Sequence, residues 1–187
     1  MEKIRIFCRD QIIEATLNYF EGELMILGLP EAERFGIGEQ AIFNYQNNEL
    51  KGKVIAVNSG RLYLFVKLNM KDFSHNRRKF PRIPVDMKAV VMYNMFKSLD
   101  YDTKIVEMVD VSHNGVGFYS PKKTLALKEY YHVILHTLDP PVVAKVYLLN
   151  QIITDRGVRY GAEIVYMPAE AMDTLRQFIL FKQITGK

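Results

Sequence analysis

The chain has 187 residues, 49% of them hydrophobic and 25% charged. That is the balance of a globular protein with one ordinary domain or two small ones, and it excludes a disordered or collagen-like chain. The net charge of +4 is too small to imply bulk nucleic-acid binding. No apolar run reaches the ~18 residues of a membrane-spanning helix, and Met1-Glu2-Lys3-Ile4-Arg5 lacks the apolar stretch of a secretory signal. The single cysteine, Cys8, cannot form an internal disulfide. A cytoplasmic location and a small buried thiol are therefore expected.

In chain order, Ile4-Arg5-Ile6-Phe7-Cys8 places apolar residues two apart and Leu62-Tyr63-Leu64-Phe65-Val66 is an aromatic and β-branched run, so both predict strands. Gly22, Gly28, Gly36, Gly38 and Gly52, with turns at Asn47-Asn48 and Asn58-Ser59-Gly60, punctuate the stretch between them. Residues 1–70 thus read as a small β-barrel or sandwich, interrupted at Pro30–Arg34 by a short helix or loop.

Residues 71–82 change character. They hold 5 basic side chains against Asp72 alone, whereas residues 1–70 hold 8 basic and 9 acidic ones. This segment reads as a basic interdomain linker, with a second domain over residues 83–187. Strands are expected at 83–93, 103–110, 115–120, 130–138, 142–154 and 158–166, with turns at Asn114-Gly115, Asp139-Pro140-Pro141 and Arg156-Gly157. Six strands without intervening helices favour an antiparallel barrel.

After Pro168, Met172, Leu175, Phe178 and Ile179 recur at helical spacing behind Glu170 and Asp173, which predicts an amphipathic C-terminal helix packed within the chain. The predicted class is mainly β: two small barrels, the second six-stranded and followed by a helix. No self-similarity at a fixed period is visible.

Two segments carry the candidate chemistry. Arg78 and Arg82, preceded by Arg77, are guanidinium forks separated by Lys79-Phe80-Pro81. In an extended segment the pair spans about 13 Å at roughly 3.3 Å per residue. Guanidinium groups bind phosphate bidentately and stack on planar rings, so this reach suits a ligand with several phosphates or purine faces. Asp110-Val111-Ser112-His113-Asn114-Gly115 lies where one strand ends and the next begins. There Asp110 would accept, Ser112 would donate or accept, and Gly115 would let a ligand approach the backbone. Guanine offers adjacent donors on its N1 and N2 edge, and a carboxylate accepts both.

Arginine-x-x-x-arginine followed by aspartate-x-serine-x-x-glycine resembles the signature of the PilZ family, matched here by Arg78, Arg82, Asp110, Ser112 and Gly115. Tyr160-Gly161-Ala162-Glu163-Ile164 is similar to the family's glycine-containing late strand, and the resemblance covers residues 76–184. It implies a six-stranded barrel that binds the bacterial second messenger cyclic di-GMP, a ligand and not a cofactor. By the same resemblance Arg78 and Arg82 would grip phosphates and stack on guanine, with Arg77 an additional contact that favours an intercalated ligand dimer, Asp110 and Ser112 would read the guanine edge, and Gly115 would leave room. His113, Asn114 and Gly161 are secondary candidates, with His113 read first as an exposed turn residue.

A β-rich region ahead of such a barrel resembles the two-barrel plan of YcgR-like flagellar brake proteins. This implies an interaction domain over residues 1–70, a change in interdomain orientation on binding, and a flagellar motor component as partner, with the protein a monomer or homodimer.

Other features have plainer readings. His132 and His136 lie on a predicted strand, too far apart to share a metal ion. Phe73, Phe80 and Phe118 read as core residues before ligand contacts. Glu163 and Asp155 lack an acid–base context, and no phosphate loop or nucleophile–base pair is present, so an enzyme is not expected. The rival readings are a single-stranded nucleic-acid-binding barrel and a PilZ adaptor that does not bind nucleotide.

Overall fold

The computed structural model describes residues 2–9, 11–46, 48–67, 80–93 and 102–186. The chain divides into two compact units, Met1–Phe80 and Pro81–Lys187. The first contains β1 (Lys3–Cys8), β2 (Gln11–Glu21), β3 (Leu24–Gly28), a 3₁₀ turn at Ala32–Arg34, β4 (Gln40–Tyr45), β5 (Asn48–Asn58) and β6 (Arg61–Val66). In β1, Ile4, Ile6 and Cys8 are buried while Lys3, Arg5 and Phe7 are exposed, the alternation of a strand with one face on a core. The strands close in the order β1-β2-β3-β6-β5-β4 around Ile6, Leu27, Phe43, Leu62 and Leu64. Closure removes the unpaired edges that would invite aggregation.

The second unit contains β7 (Ile83–Tyr93), β8 (Asp102–Ser112), β9 (Gly115–Ser120), β10 (Tyr130–Leu135), β11 (Val142–Thr154), β12 (Gly157–Tyr166) and α1 (Ala169–Thr185). It closes as β7-β8-β9-β12-β11-β10, so each barrel joins its strands first, second, third, sixth, fifth, fourth. The second barrel has bulges of its own between Pro84 and Met87 and between Lys145 and Val146, and two others correspond between the barrels. One interrupts the second strand, between Leu17 and Tyr19 or between Met108 and Asp110. The other interrupts the fifth, between Val54 and Ala56 or between Leu148 and Asn150.

The expected mainly β plan of two barrels and a closing helix is the one observed, with shifts at strand ends. The strand expected at 130–138 stops at Leu135, where the chain turns and Leu138 N–H returns to the Leu135 carbonyl at 3.4 Å. The strand expected at 103–110 runs on to Ser112. The one expected at 158–166 begins at Gly157, whose φ of +122° and neighbouring Ser120 carbonyl, 2.5 Å from where a Cβ would stand, admit no side chain.

Helix α1 buries Leu175 and Ile179 in the core of the second barrel, as the apolar stripe predicts. Gly186 ends it in the left-handed conformation, its N–H bonded to the Lys182 carbonyl at 2.9 Å. Leu125 is buried in the same core, and Tyr160 and Tyr131 hold its loop. The Tyr131 hydroxyl accepts from Ala126 N–H at 2.8 Å and lies 3.1 Å from the Ala126 carbonyl, while Tyr160 Oη lies 3.4 Å from Leu125 N. Burial pushes the Tyr131 pKa upward, so its hydroxyl proton is retained.

Candidate functional site

The bulge after Met108 turns Asp110 onto the outer wall of the second barrel while Met108 and Val111 stay in the core. Asp110 is only 8% exposed, a position a carboxylate occupies when it is paired. Its Oδ2 accepts from Arg159 Nη2 of β12 at 2.7 Å. Its Oδ1 faces Arg82 Nη1 at 3.7 Å, an ion pair too long to be a hydrogen bond.

The strand register sets four residues in one row across this wall: Asp110 of β8 opposite Gly117 of β9, Gly117 opposite Gly161 of β12, and Gly161 opposite Asn150 of β11. A Cβ on Gly117 would stand 2.8 Å from Asp110 Oδ2, and one on Gly161 would stand 2.5 Å from Asn150 Oδ1. The two polar side chains therefore lie down over glycine backbone. The result is a shallow wall with a carboxylate at one end, a carboxamide at the other, and guanidinium groups above the carboxylate.

Ser112 and Gly115 close the β8–β9 hairpin opposite one another. Ser112 Oγ, buried at 2%, lies 3.2 Å from the Gly115 carbonyl and 3.1 Å from Asn114 Oδ1, so the hydroxyl shapes the turn. The Asn114 carbonyl accepts from Ile164 N–H at 2.9 Å. A Cβ on Gly115 would come within 3.0 Å of the Ala162 carbonyl.

His113 corrects an expectation. It is not an exposed turn residue but is 5% exposed, because the hairpin folds it inward where a free turn would project it. Arg77, Arg78 and Phe73 lie outside the described residues, as does the expected linker up to Lys79. Phe118 is core, stacked on Tyr160 with ring centroids 5.6 Å apart.

The sequence candidates Arg82, Asp110, Ser112, His113, Asn114, Gly115 and Gly161 share one region of the second barrel. Arg159, Gly117 and Asn150 complete the wall and are not among the candidates the sequence singles out. Gly117 carried a signal, since a glycine inside a strand marks close approach of another group. Arg159 and Asn150 carried none, because strand register alone brings them to Asp110 and Gly161.

The first barrel has a different recess, a cavity of about 360 Å³ lined by Cys8, Arg9, Gln11, Ile13, Arg34, Phe35 and Glu39. Glu39 is the hub of its polar contacts, while Arg34 pairs with Glu31. The Glu39 carboxylate accepts from Gly36 N–H at 2.9 Å, from Arg9 Nη2 at 3.1 Å and from Arg9 Nε. Gly36 and Arg9 hold its pKa below the ordinary carboxylate value against the opposing effect of burial. The Cys8 thiol points at Glu39 Oε1, 3.5 Å away, and burial and that carboxylate push its pKa upward.

Residues 76–181, more than half of the chain, match the family model described as PilZ domain. Curated proteins gave no match. Solved structures similar to the chain include the Bacillus subtilis inhibitor of motility (MotI/DgrA), at 10% identity and a TM-score of 0.46, covering 98% of this chain and 97% of that one. They also include Escherichia coli YcgR in complex with c-di-GMP, at 12% identity and a TM-score of 0.47, covering 98% and 84%. The K. pneumonia MrkH–c-di-GMP complex is similar at 12% identity and a TM-score of 0.45, covering 98% and 87%.

Proposed function

The chain belongs to the PilZ domain family, and from that premise we propose that its second barrel is a receptor for cyclic di-GMP. The observation that carries the proposal is the loose Arg82–Asp110 pair at 3.7 Å beside the Ser112–Gly115 hairpin. A guanine nucleotide brings both complements of that pair: N1–H and N2–H donors for the carboxylate, and phosphate for the guanidinium. It can therefore enter between them and satisfy each. Arg77 and Arg78, assigned from the motif, add phosphate contacts and a stacking plane, while Ser112 and Gly115 keep the hairpin low enough for the base to approach.

The arginine motif lies between the two barrels in the sequence, so a ligand that engages it acts on the connection itself. We infer a receptor that resets the relation of its two domains and passes the signal to a protein partner, with a flagellar motor component the first to test. This part rests on the family resemblance. Ordering of a segment by a charged ligand is the type of switch involved.

The test is calorimetric titration with cyclic di-GMP beside GTP and cyclic GMP. Binding is expected for cyclic di-GMP. Arg78→Ala and Arg82→Ala are each expected to weaken it tenfold or more, the worth of about one charge-assisted hydrogen bond. Absence of binding, with salt-sensitive affinity for many oligonucleotides, would favour a nucleic-acid binder instead.

A further inference from the structure

We propose that Arg159 is a specificity-determining residue of this site, one that fixes the Asp110 carboxylate in the orientation that reads guanine. The proposal deepens the receptor reading and rests on it.

Asp110 has two guanidinium neighbours and they are not equivalent. Arg159 Nη2 donates to Oδ2 at 2.7 Å, a full charge-assisted hydrogen bond, whereas Arg82 stands 3.7 Å from Oδ1. Arg159 belongs to β12 and is anchored on the outer wall by the barrel's own strand pairing, opposite Tyr119 of β9. Arg82 immediately precedes β7 and is the more exposed of the two, at 51% against 39%. Arg82 is thus the partner free to leave for a phosphate, and Arg159 the one that stays.

Its reach depends on Gly117. From β12 the Arg159 side chain meets Asp110 across β9, where any side chain on Gly117 would collide with the carboxylate. One oxygen is then held by a strand-anchored donor and the other is left toward the ligand. A carboxylate held this way loses little rotational freedom when a base arrives, which lowers the ordering cost of the contacts its two oxygens make with the guanine edge. A carboxylate oxygen accepts more than one hydrogen bond, so the oxygen that holds Arg159 can also receive one edge donor of guanine while the other oxygen receives the second.

The experiment compares two probes, cyclic di-GMP and its inosine counterpart, which keeps N1–H but lacks the 2-amino group. Wild type is expected to prefer the guanine form by about tenfold, one hydrogen bond to a charged acceptor. Arg159→Ala is expected to weaken cyclic di-GMP about fivefold to tenfold and to bring the preference within about twofold, because an unpinned carboxylate no longer presents both oxygens. Arg159→Lys, which keeps the charge and loses the planar fork, should fall between.

Equal losses for both probes would mean that Arg159 acts as a general positive charge, and no loss would mean that it has no part. Either result overturns the proposal. A folded wild-type protein that binds neither probe is a different failure, that of the receptor reading itself.

Discussion

The outer wall that reads Asp110, Gly117, Gly161, Asn150 in the second barrel reads Tyr19, Ile26, Tyr63, Ala56 in the first, at the same register and beside the same bulges. The inward neighbours of these rows are apolar in both, Met25, Leu27, Leu62 and Leu64 against Val116, Phe118, Tyr160 and Ala162. Core and bulges together suffice to set this barrel, since two chain segments without visible likeness arrive at it. The outward row is then free to vary. Two glycines and two small polar side chains make one wall a shallow polar surface, while two tyrosines and an isoleucine fill the other. Even Arg159 has a counterpart, Arg61, yet the residue across from it is Gly28 and its wall offers Tyr19 in place of a carboxylate.

The sharpest way to break the comparison is to write the first wall into the second. Gly117→Ile installs the residue of position 26, and its Cβ would stand 2.8 Å from Asp110 Oδ2, forcing the carboxylate off the wall. Cyclic di-GMP affinity should fall about a hundredfold, ~2.7 kcal/mol, while circular dichroism still reports a folded β protein. Gly117→Ala, the smaller intrusion, should give a lesser loss in the same direction. Near-wild-type binding by either folded variant would detach the glycine wall from recognition. Next in size is Arg82→Ala, tenfold or more, with Arg61→Ala as the first-barrel control expected to change affinity less than twofold.

Much of this plan is legible in the sequence. Alternation in Lys3–Cys8 and the turn chemistry of Asn114-Gly115 and Arg156-Gly157 locate strands, and Asp110, Ser112 and Gly115 are picked out by their resemblance to the PilZ signature. The duplication of the barrel is not legible. Loops of different length separate matched strands, so Ile6 corresponds to Val91 but Leu62 to Tyr160, and no fixed period survives. Matched core positions share apolarity and not identity. Arg159 and Asn150 are silent for a related reason, since their role arises from pairing between strands far apart in the chain. The burial of His113 is not legible either, because a histidine beside an Asn-Gly turn reads as exposed and only the packing of the hairpin folds it inward.

The reverse substitution sharpens the same contrast with a smaller effect. Ile26→Gly removes a half-buried side chain from the first wall and puts glycine in a strand interior, at a cost of roughly 1–2 kcal/mol. A thermal melt should shift downward by several degrees, with cyclic di-GMP affinity unchanged. A loss of affinity comparable to that of Arg82→Ala would place ligand recognition on the first barrel as well.

The smallest effect concerns the first-barrel recess lined by Cys8 and Glu39. Cys8 has a raised pKa through burial and the adjacent Glu39, so the folded state favours the neutral thiol. Its contribution to stability is complete below the ordinary thiol value and is lost as pH rises through the folded value. Glu39 has the opposite sign: its lowered pKa contributes stability above the ordinary carboxylate value, lost as pH falls through the folded one. Alkylation of Cys8 should therefore be slow at neutral pH, accelerate only above the pH at which the denatured chain reacts, and speed up at neutral pH in Glu39→Gln, where the negative charge opposing the thiolate is gone. If native and denatured protein react with the same pH profile, the thiol is not held against Glu39, and the recess is an open cleft and not a self-paired one.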